Sequence, residues 1–193
     1  FFLGKHEVTL GQWRRFCADV GRPAPATPPG ADDRHPFAEA TYDGVVEYCR
    51  WAGLRLPTEA EWEWAARGPE ALRFPWGPRF VHGRMNASTS DEDGFETTAP
   101  VGSFPAGASP FGALDMSGNV YEWVADWYAP GYEVEPGQER VDPTGPTSGT
   151  KRTLRGGAYN CGASFCRGSE RFADDGKVQW LSNLGFRVAR SAE

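Results

Sequence analysis

The chain has no long apolar run. None of its hydrophobic stretches approaches the ~20 residues that span a bilayer, and no segment reads as a signal peptide. It has no Lys/Arg cluster: 20 basic against 26 acidic residues leave a formal charge of −6, without the basic face of a nucleic-acid binder. Cysteine is scarce, 4 in 193 residues, which excludes a disulfide framework. There is no internal repeat and no low-complexity tract, and helical periodicity is missing after Gly68. The chain starts at Phe1 without Met, so it is expected to be a fragment with residues missing upstream, and its compartment is left open.

What is present is turn-forming and aromatic. Gly 24 and Pro 16 imply abundant irregular structure. Trp 8 and Phe 12 are too many for a disordered chain, so the loops should themselves pack around a core. The length suits one domain over 1–193. Thr9 caps a predicted amphipathic helix with Leu10, Trp13, Phe16, Cys17 and Val20 on one face and Gly21 as its stop. Thr41 opens a second, with Tyr42, Val45, Val46 and Cys49 inward and Gly53 at its end. Cys17 and Cys49 therefore read as small buried hydrophobes. Thr58 and Glu61 form a capping box for a third helix that runs to Arg67 and stops at Gly68. Arg22 to Pro36 is a long loop. Short β-type runs follow at Ala99–Phe104, Val120–Trp127, Thr153–Leu154 and Phe186–Val188. Helices first and short strands later predict an α+β fold rather than alternating α/β.

Eight segments, in order and covering nearly the whole chain, resemble the formylglycine-generating-enzyme (sulfatase-modifying-factor) family. They are His6-Glu7-Val8-Thr9, Arg55-Leu-Pro-Thr-Glu-Ala-Glu-Trp62, Pro75-Trp76-Gly77, Glu92-Asp93-Gly94-Phe95, Ala99-Pro100-Val101, Met116-Ser-Gly-Asn-Val-Tyr-Glu-Trp123, Arg155-Gly156-Gly157 and Leu184-Gly185-Phe186-Arg187. The resemblance implies a C-type-lectin-like fold, loop-rich with short antiparallel strands and two to three helices. It leaves function open: the scaffold carries copper oxidases that make formylglycine, related iron or accessory enzymes, and variable proteins of diversity-generating retroelements.

The resemblance also implies structural calcium. One set joins the side chains of Asn86 and Asp93 to the carbonyls of Ala87 and Phe95; a second takes Asp115, Gly118, Val120 and Glu122, with Asp115 where the family typically has Asn. Calcium wants several oxygens from carboxylates, amides and turn carbonyls. On spacing alone, a solvated acidic turn is the alternative.

Cys161 and Cys166 carry the enzymatic expectation. A thiolate pair selects monovalent copper, and the family's copper enzymes have two cysteines with this spacing after Arg-Gly-Gly-Ser. Here the Ser is replaced by Ala158, the family's active-site Trp corresponds to Tyr121, and Arg167-Gly-Ser-Glu170 lacks the usual aromatic and basic cluster. A disulfide between these near neighbours is another option.

The segment between Arg155-Gly-Gly and Leu184-Gly-Phe-Arg has a second reading, as the changeable surface of a retroelement variable protein within 153–190. Contacts are expected from Tyr159, Asn160, Cys161, Gly162, Phe165, Gly168, Glu170, Phe172, Asp174, Asp175, Lys177, Gln179, Trp180 and Ser182. Rigid aromatics with Gly, Ser and Asn suit a paratope, while Ala163, Ser164, Cys166, Arg167, Ser169 and Arg171 look like scaffold. Glu170, Lys177, Gln179 and Trp180 are not reachable from the asparagine codon such systems diversify. The main expectation is thus a non-enzymatic binding protein with a protein or cell-surface partner, no nucleic acid and no membrane span. A copper-dependent oxidase acting on a peptidyl cysteine is the alternative.

Overall fold

Three capped helices occupy the first part of the chain in this computed structural model, which describes residues 1–88, 93–131, 141–176 and 182–192. Helix α1 (Leu10–Asp19) has a reciprocal capping box between Thr9 and Gln12. Helix α2 (Tyr42–Ala52) starts where the Thr41 hydroxyl accepts from the Gly44 amide and ends at Gly53 in the left-handed region. Helix α3 (Glu59–Arg67) has the predicted Thr58–Glu61 box and closes at Gly68. Each cap satisfies amides that a helix start leaves without partners.

The inward faces of α1 and α2 meet the strands through aromatic rings. Trp13 stacks on Phe37 with centroids 4.1 Å apart and on Tyr48 at 5.6 Å, and meets Phe186 edge-on at 5.9 Å. Phe16, Cys17, Val45 and Cys49 are buried in the same cluster. Two expected inward positions differ. Val20 is the C-cap of α1 and 39% exposed, because the chain leaves the helix there; Val46 is half-buried.

The main sheet is mixed. Strands β2 (Tyr121–Trp127), β3 (Arg152–Arg155), β4 (Phe172–Asp174) and β5 (Leu184–Phe186) lie in the order β4-β3-β2-β5. The β2–β3 and β3–β4 pairs are antiparallel, and β2–β5 is parallel with Tyr121 opposite Leu184. A second, two-stranded sheet joins the chain's ends, β1 (Phe2–Leu3) against β6 (Ala189–Arg190). The α+β expectation holds; the parallel β2–β5 pair departs from the expected antiparallel strands.

The strand expected at Ala99–Phe104 does not form. Its amides are taken by other partners: Ala99 N donates to Asn119 Oδ1 at 2.9 Å, Val101 N to the Arg34 carbonyl at 2.9 Å, and Gly102 N to Asp115 Oδ2 at 2.6 Å. Pro100 lacks an amide and Gly102 has φ +79°, so no ladder can run through the segment. It ends in a 3-10 turn at Pro105–Gly107.

Buried ion pairs hold the loops to this frame. Arg187 and Glu122 are fully buried and paired. Arg155 donates to Glu63 Oε2 at 2.5 Å and to the carbonyls of Gly168 (2.7 Å) and Glu170 (2.7 Å). Arg171 forks onto Glu59 at 2.5 and 2.8 Å. Such pairs offset their desolvation best when hydrogen bonding is complete; the Arg155 guanidinium reaches the carbonyls of three successive loop residues, Gly168, Ser169 and Glu170, while its Nε is buried without a partner. No helix among the described residues is long and apolar enough to cross a membrane.

Candidate active site at a buried thiol pair

β3 ends at Arg155, and Gly156 and Gly157 then take φ +91° and +75°. These left-handed values, cheap only for glycine, turn the chain back over the Met116–Asn119 loop. Gly118 N donates to the Gly156 carbonyl at 2.9 Å and Tyr159 N to the Asn119 carbonyl at 2.9 Å. A tight turn closes from Cys161 N to the Ala158 carbonyl at 2.9 Å, and a 3-10 helix, Ala163–Cys166, follows. The two glycines and the short helix thus bring both cysteines to one place. A side chain at Gly157 would meet Cys166 Sγ at 2.6 Å.

Cys166 is fully buried against Met85 and Ala87, with Trp76, Phe80, Cys161 and Ala163 packed around the cluster. No disulfide joins the two cysteines in this structure. Burial pushes the Cys166 thiol up to about 12, and the neighbouring Cys161 adds to it; the backbone at Ala158 and Gly118 works the other way. Ser117 Oγ donates to the Cys166 carbonyl at 2.7 Å. Cys161 lies nearer solvent. The Tyr121 hydroxyl stands 3.1 Å from its Sγ, and Asn160 Oδ1 stands 3.8 Å away on a side chain that accepts from Asn183 Nδ2 at 2.9 Å. Ala158, where the family has Ser, is fully buried.

The expected surface is divided by the fold. Tyr159 reaches Ser182 Oγ at 3.2 Å, Asn160 is exposed, and Phe165 is 50% exposed. Phe172 is half-buried and meets Tyr121 edge-on at 4.8 Å. Gly168 is buried, with Arg67 filling the space where its side chain would go, so it cannot be a surface contact. Ser164 and Ser169, expected as scaffold, are exposed. Glu170 is paired with Arg167, Asp174 caps the Gly176 amide at 2.8 Å, and Asp175 is exposed. Gly162 precedes the 3-10 helix; Lys177, Gln179 and Trp180 lie outside the described residues.

The expected calcium positions fall in two places. Asp93 accepts from the amides of Ala87 (3.3 Å) and Phe95 (3.0 Å), at the rim of a cavity of about 460 Å³ that Tyr159 and Asn160 also line. Asn86 donates to the Thr97 carbonyl at 2.8 Å. In the second set, both Glu122 oxygens accept from Arg187, and Trp62 Nε1 adds a bond at 2.8 Å. Asp115 accepts from Gly102, and burial raises its carboxyl. Gly118 and Val120 lie in the adjoining backbone. Sequence reading missed Glu7. Fully buried, it accepts from Asn119 Nδ2 at 3.1 Å, its Oε2 has no partner, and burial followed by Asp115 and Glu122 raises its carboxyl well above the usual range. An acid in the segment that leads into the Thr9 cap, His6-Glu-Val-Thr, was the available signal. Among the described residues no cluster of three or more His, Cys, Asp or Glu is arranged to hold a metal.

Comparison with known proteins overturns the main expectation. Several curated formylglycine-generating enzymes match at 35–42% identity. The one from Mus musculus is 42% identical over 169 residues, which is 80% of this chain and 44% of its own length. The chain therefore spans about half the length of the curated relatives it matches. Among solved structures, PvdO from Pseudomonas aeruginosa superposes with a TM-score of 0.81 at 27% identity, covering 96% of this chain and 78% of that one. Treponema denticola variable protein 1 superposes at 0.78 with 24% identity over 96% of this chain and 82% of that one, a likeness of fold alone. The reading as a non-enzymatic variable protein is thus corrected: the sequence relatives are named for an enzyme, and the variable protein shares the scaffold. The fold is C-type-lectin-like, as expected. The sulfatase-modifying factor enzyme 1-like domain model matches residues 1–192, and the chain belongs to that family.

Proposed function

We propose that this chain is the catalytic domain of a formylglycine-generating oxidase that acts on a cysteine of a polypeptide. The observation that carries it is the pair of free thiols, Cys161 and Cys166, at the end of the Arg155-Gly-Gly turn, in a chain up to 42% identical to curated formylglycine-generating enzymes. The partner is then a substrate: a protein segment presenting a thiol.

Copper is implied by the family. The donor set fits it: two soft thiols, one of them buried among apolar side chains, suit a monovalent ion. Cys161 and Cys166 would hold it, and it would supply access to dioxygen chemistry. The chain's own part is to orient and to exclude water. Cys161, half-exposed, faces the incoming peptide, while Met85, Ala87 and Phe80 keep the Cys166 side dry. The overall conversion balances when dioxygen takes electrons from the substrate carbon and from an external thiol reductant. The substrate sulfur leaves as sulfide, and the two oxygen atoms end in the aldehyde and in water.

Structural calcium is proposed at Asn86, Ala87, Asp93 and Phe95, where a turn gathers a carboxylate at a cavity rim. In the second set a cation would share the Glu122 carboxylate with Arg187. Dialysis against a chelator, followed by metal analysis and melting, tests it: a retained, stabilising calcium is expected, and unchanged melting with no bound metal opposes it.

The activity is tested with monovalent copper, dioxygen, a thiol reductant and a cysteine-containing peptide, with aldehyde read by mass. Aldehyde from the intact chain that vanishes in Cys161→Ser and Cys166→Ser is expected. Aldehyde that survives both substitutions sinks the proposal.

A further inference from the structure

Tyr121 stands where the family's enzymes carry Trp, and it brings a hydroxyl to the thiol pair while Ala158 brings none. That hydroxyl is 3.1 Å from Cys161 Sγ, inside ordinary reach for a bond to sulfur. It is not free to swing. Tyr121 opens β2, its amide donates to the Asn183 carbonyl at 2.8 Å, and it sits opposite Leu184 in the parallel pair. Its ring meets Phe172 edge-on at 4.8 Å, and Phe172 in turn pairs with Leu154 in β3–β4. The other hydroxyl nearby, Ser117 Oγ, is spent on the Cys166 carbonyl. Across the sulfur, Asn160 Oδ1 is fixed by Asn183 Nδ2, so Cys161 is held between a phenol and an amide oxygen.

We propose that the Tyr121 hydroxyl is a positioning group for Cys161, fixing its sulfur beside Cys166 for a shared soft cation. Asn160 Oδ1 can only accept, so the thiol donates to it and the phenol is the donor to the sulfur. A hydrogen bond to a charged group is worth more than one between neutral groups, so the contribution is largest in the ligating form. This inference rests on the thiol-pair site of the proposed function and not on the substrate.

The test uses Tyr121→Phe, which keeps the ring and its contact with Phe172. Monovalent copper affinity, read by competition with a chromophoric chelator, should fall roughly tenfold or more. In the metal-free chain, melting of Tyr121→Phe in the wild-type and Cys161→Ala backgrounds should show coupling, with the loss disappearing when the sulfur is gone. Tyr121→Trp, without the hydroxyl, should also bind copper less tightly, and it serves if Tyr121→Phe does not fold. Copper affinity within about twofold of wild type, or a melting loss that persists in Cys161→Ala, overturns the proposal. The aldehyde assay runs in parallel. A wild-type chain that makes no aldehyde while Tyr121→Phe loses copper affinity sinks the oxidase reading and leaves Tyr121 standing; aldehyde formation with unchanged affinity does the reverse.

Discussion

Arg187 lies flat against Glu122: Nε donates to Oε2 at 2.6 Å and Nη2 to Oε1 at 2.7 Å, and neither side chain is exposed to solvent. The same guanidinium donates to the carbonyls of Gly4 at 3.1 Å and Leu114 at 2.9 Å. One residue near the C-terminus therefore ties the first strand and the loop before β2 to the centre of the sheet.

Removing that cation should be severe. Arg187→Met leaves Glu122 buried with only Trp62 Nε1 as a donor, and breaking a buried pair on one side costs about 3–5 kcal/mol. Against a total of about 5–15 kcal/mol, the variant should melt far below wild type in calorimetry. Arg187→Met with Glu122→Leu should recover part of the loss, because the carboxylate that both donors of Arg187 served is gone, while Asp115 and Glu7 still lose the cation beside them. A double variant no more stable than the single one contradicts this.

Glu7 should make the metal-free chain lose stability as pH rises. Its folded carboxyl titrates above the ordinary value of 4.5, so the folded state holds a proton the unfolded state has released, and stability falls as pH climbs from the ordinary carboxylate range through the raised folded value. Glu7→Gln keeps the shape without the charge. It should melt higher than wild type at neutral pH, by an amount equivalent to about 1–3 kcal/mol, and the gap should close at pH 4. A gap that is flat with pH, measured with chelator present, counts against the account.

Gly157→Ala should damage the site more than the fold. The φ of +75° strains any side chain, at a cost of about 1–2 kcal/mol, and the new methyl would sit 2.6 Å from Cys166 Sγ and 2.9 Å from the Phe165 carbonyl. Copper binding should be lost in chelator competition, with a melting drop of a few degrees. Retained copper affinity would show that Cys166 is free to move.

Arg155→Lys tests how the loop after Cys166 is held. Lysine cannot reproduce the fork that reaches Glu63 and the carbonyls of Gly168 and Glu170 together. A loss of about 1–3 kcal/mol is expected, with faster amide exchange confined to residues 168–170. Uniform exchange across the chain would place the effect elsewhere.

Local chemistry made the first half of this fold legible. Thr9, Thr41 and Thr58 with Gly53 and Gly68 set the helix ends because caps and left-handed stops act over a few residues. The order of helices and strands, and the buried state of Cys17 and Cys49, followed from periodicity. The Cys161–Cys166 spacing marked the thiol pair. The sequence did not reveal that Ala99–Phe104 has no ladder, since Asn119, Asp115 and Arg34, which take its amides, lie far along the chain. Nor did it reveal that Gly168 is packed under Arg67, or that Glu7 lies with Asp115, Glu122 and Arg187. Motif spacing also gave both a copper site and a variable surface from one segment. What separated the residues of that segment was burial: Cys166 inside, Phe165 outside, and Cys161 brought to Tyr121 by the Gly156-Gly157 turn over the Met116–Asn119 loop, a contact across 40 positions of chain. Sequence reports what neighbours within a turn can do for one another, and only the tertiary fold decides which distant polar groups meet away from water.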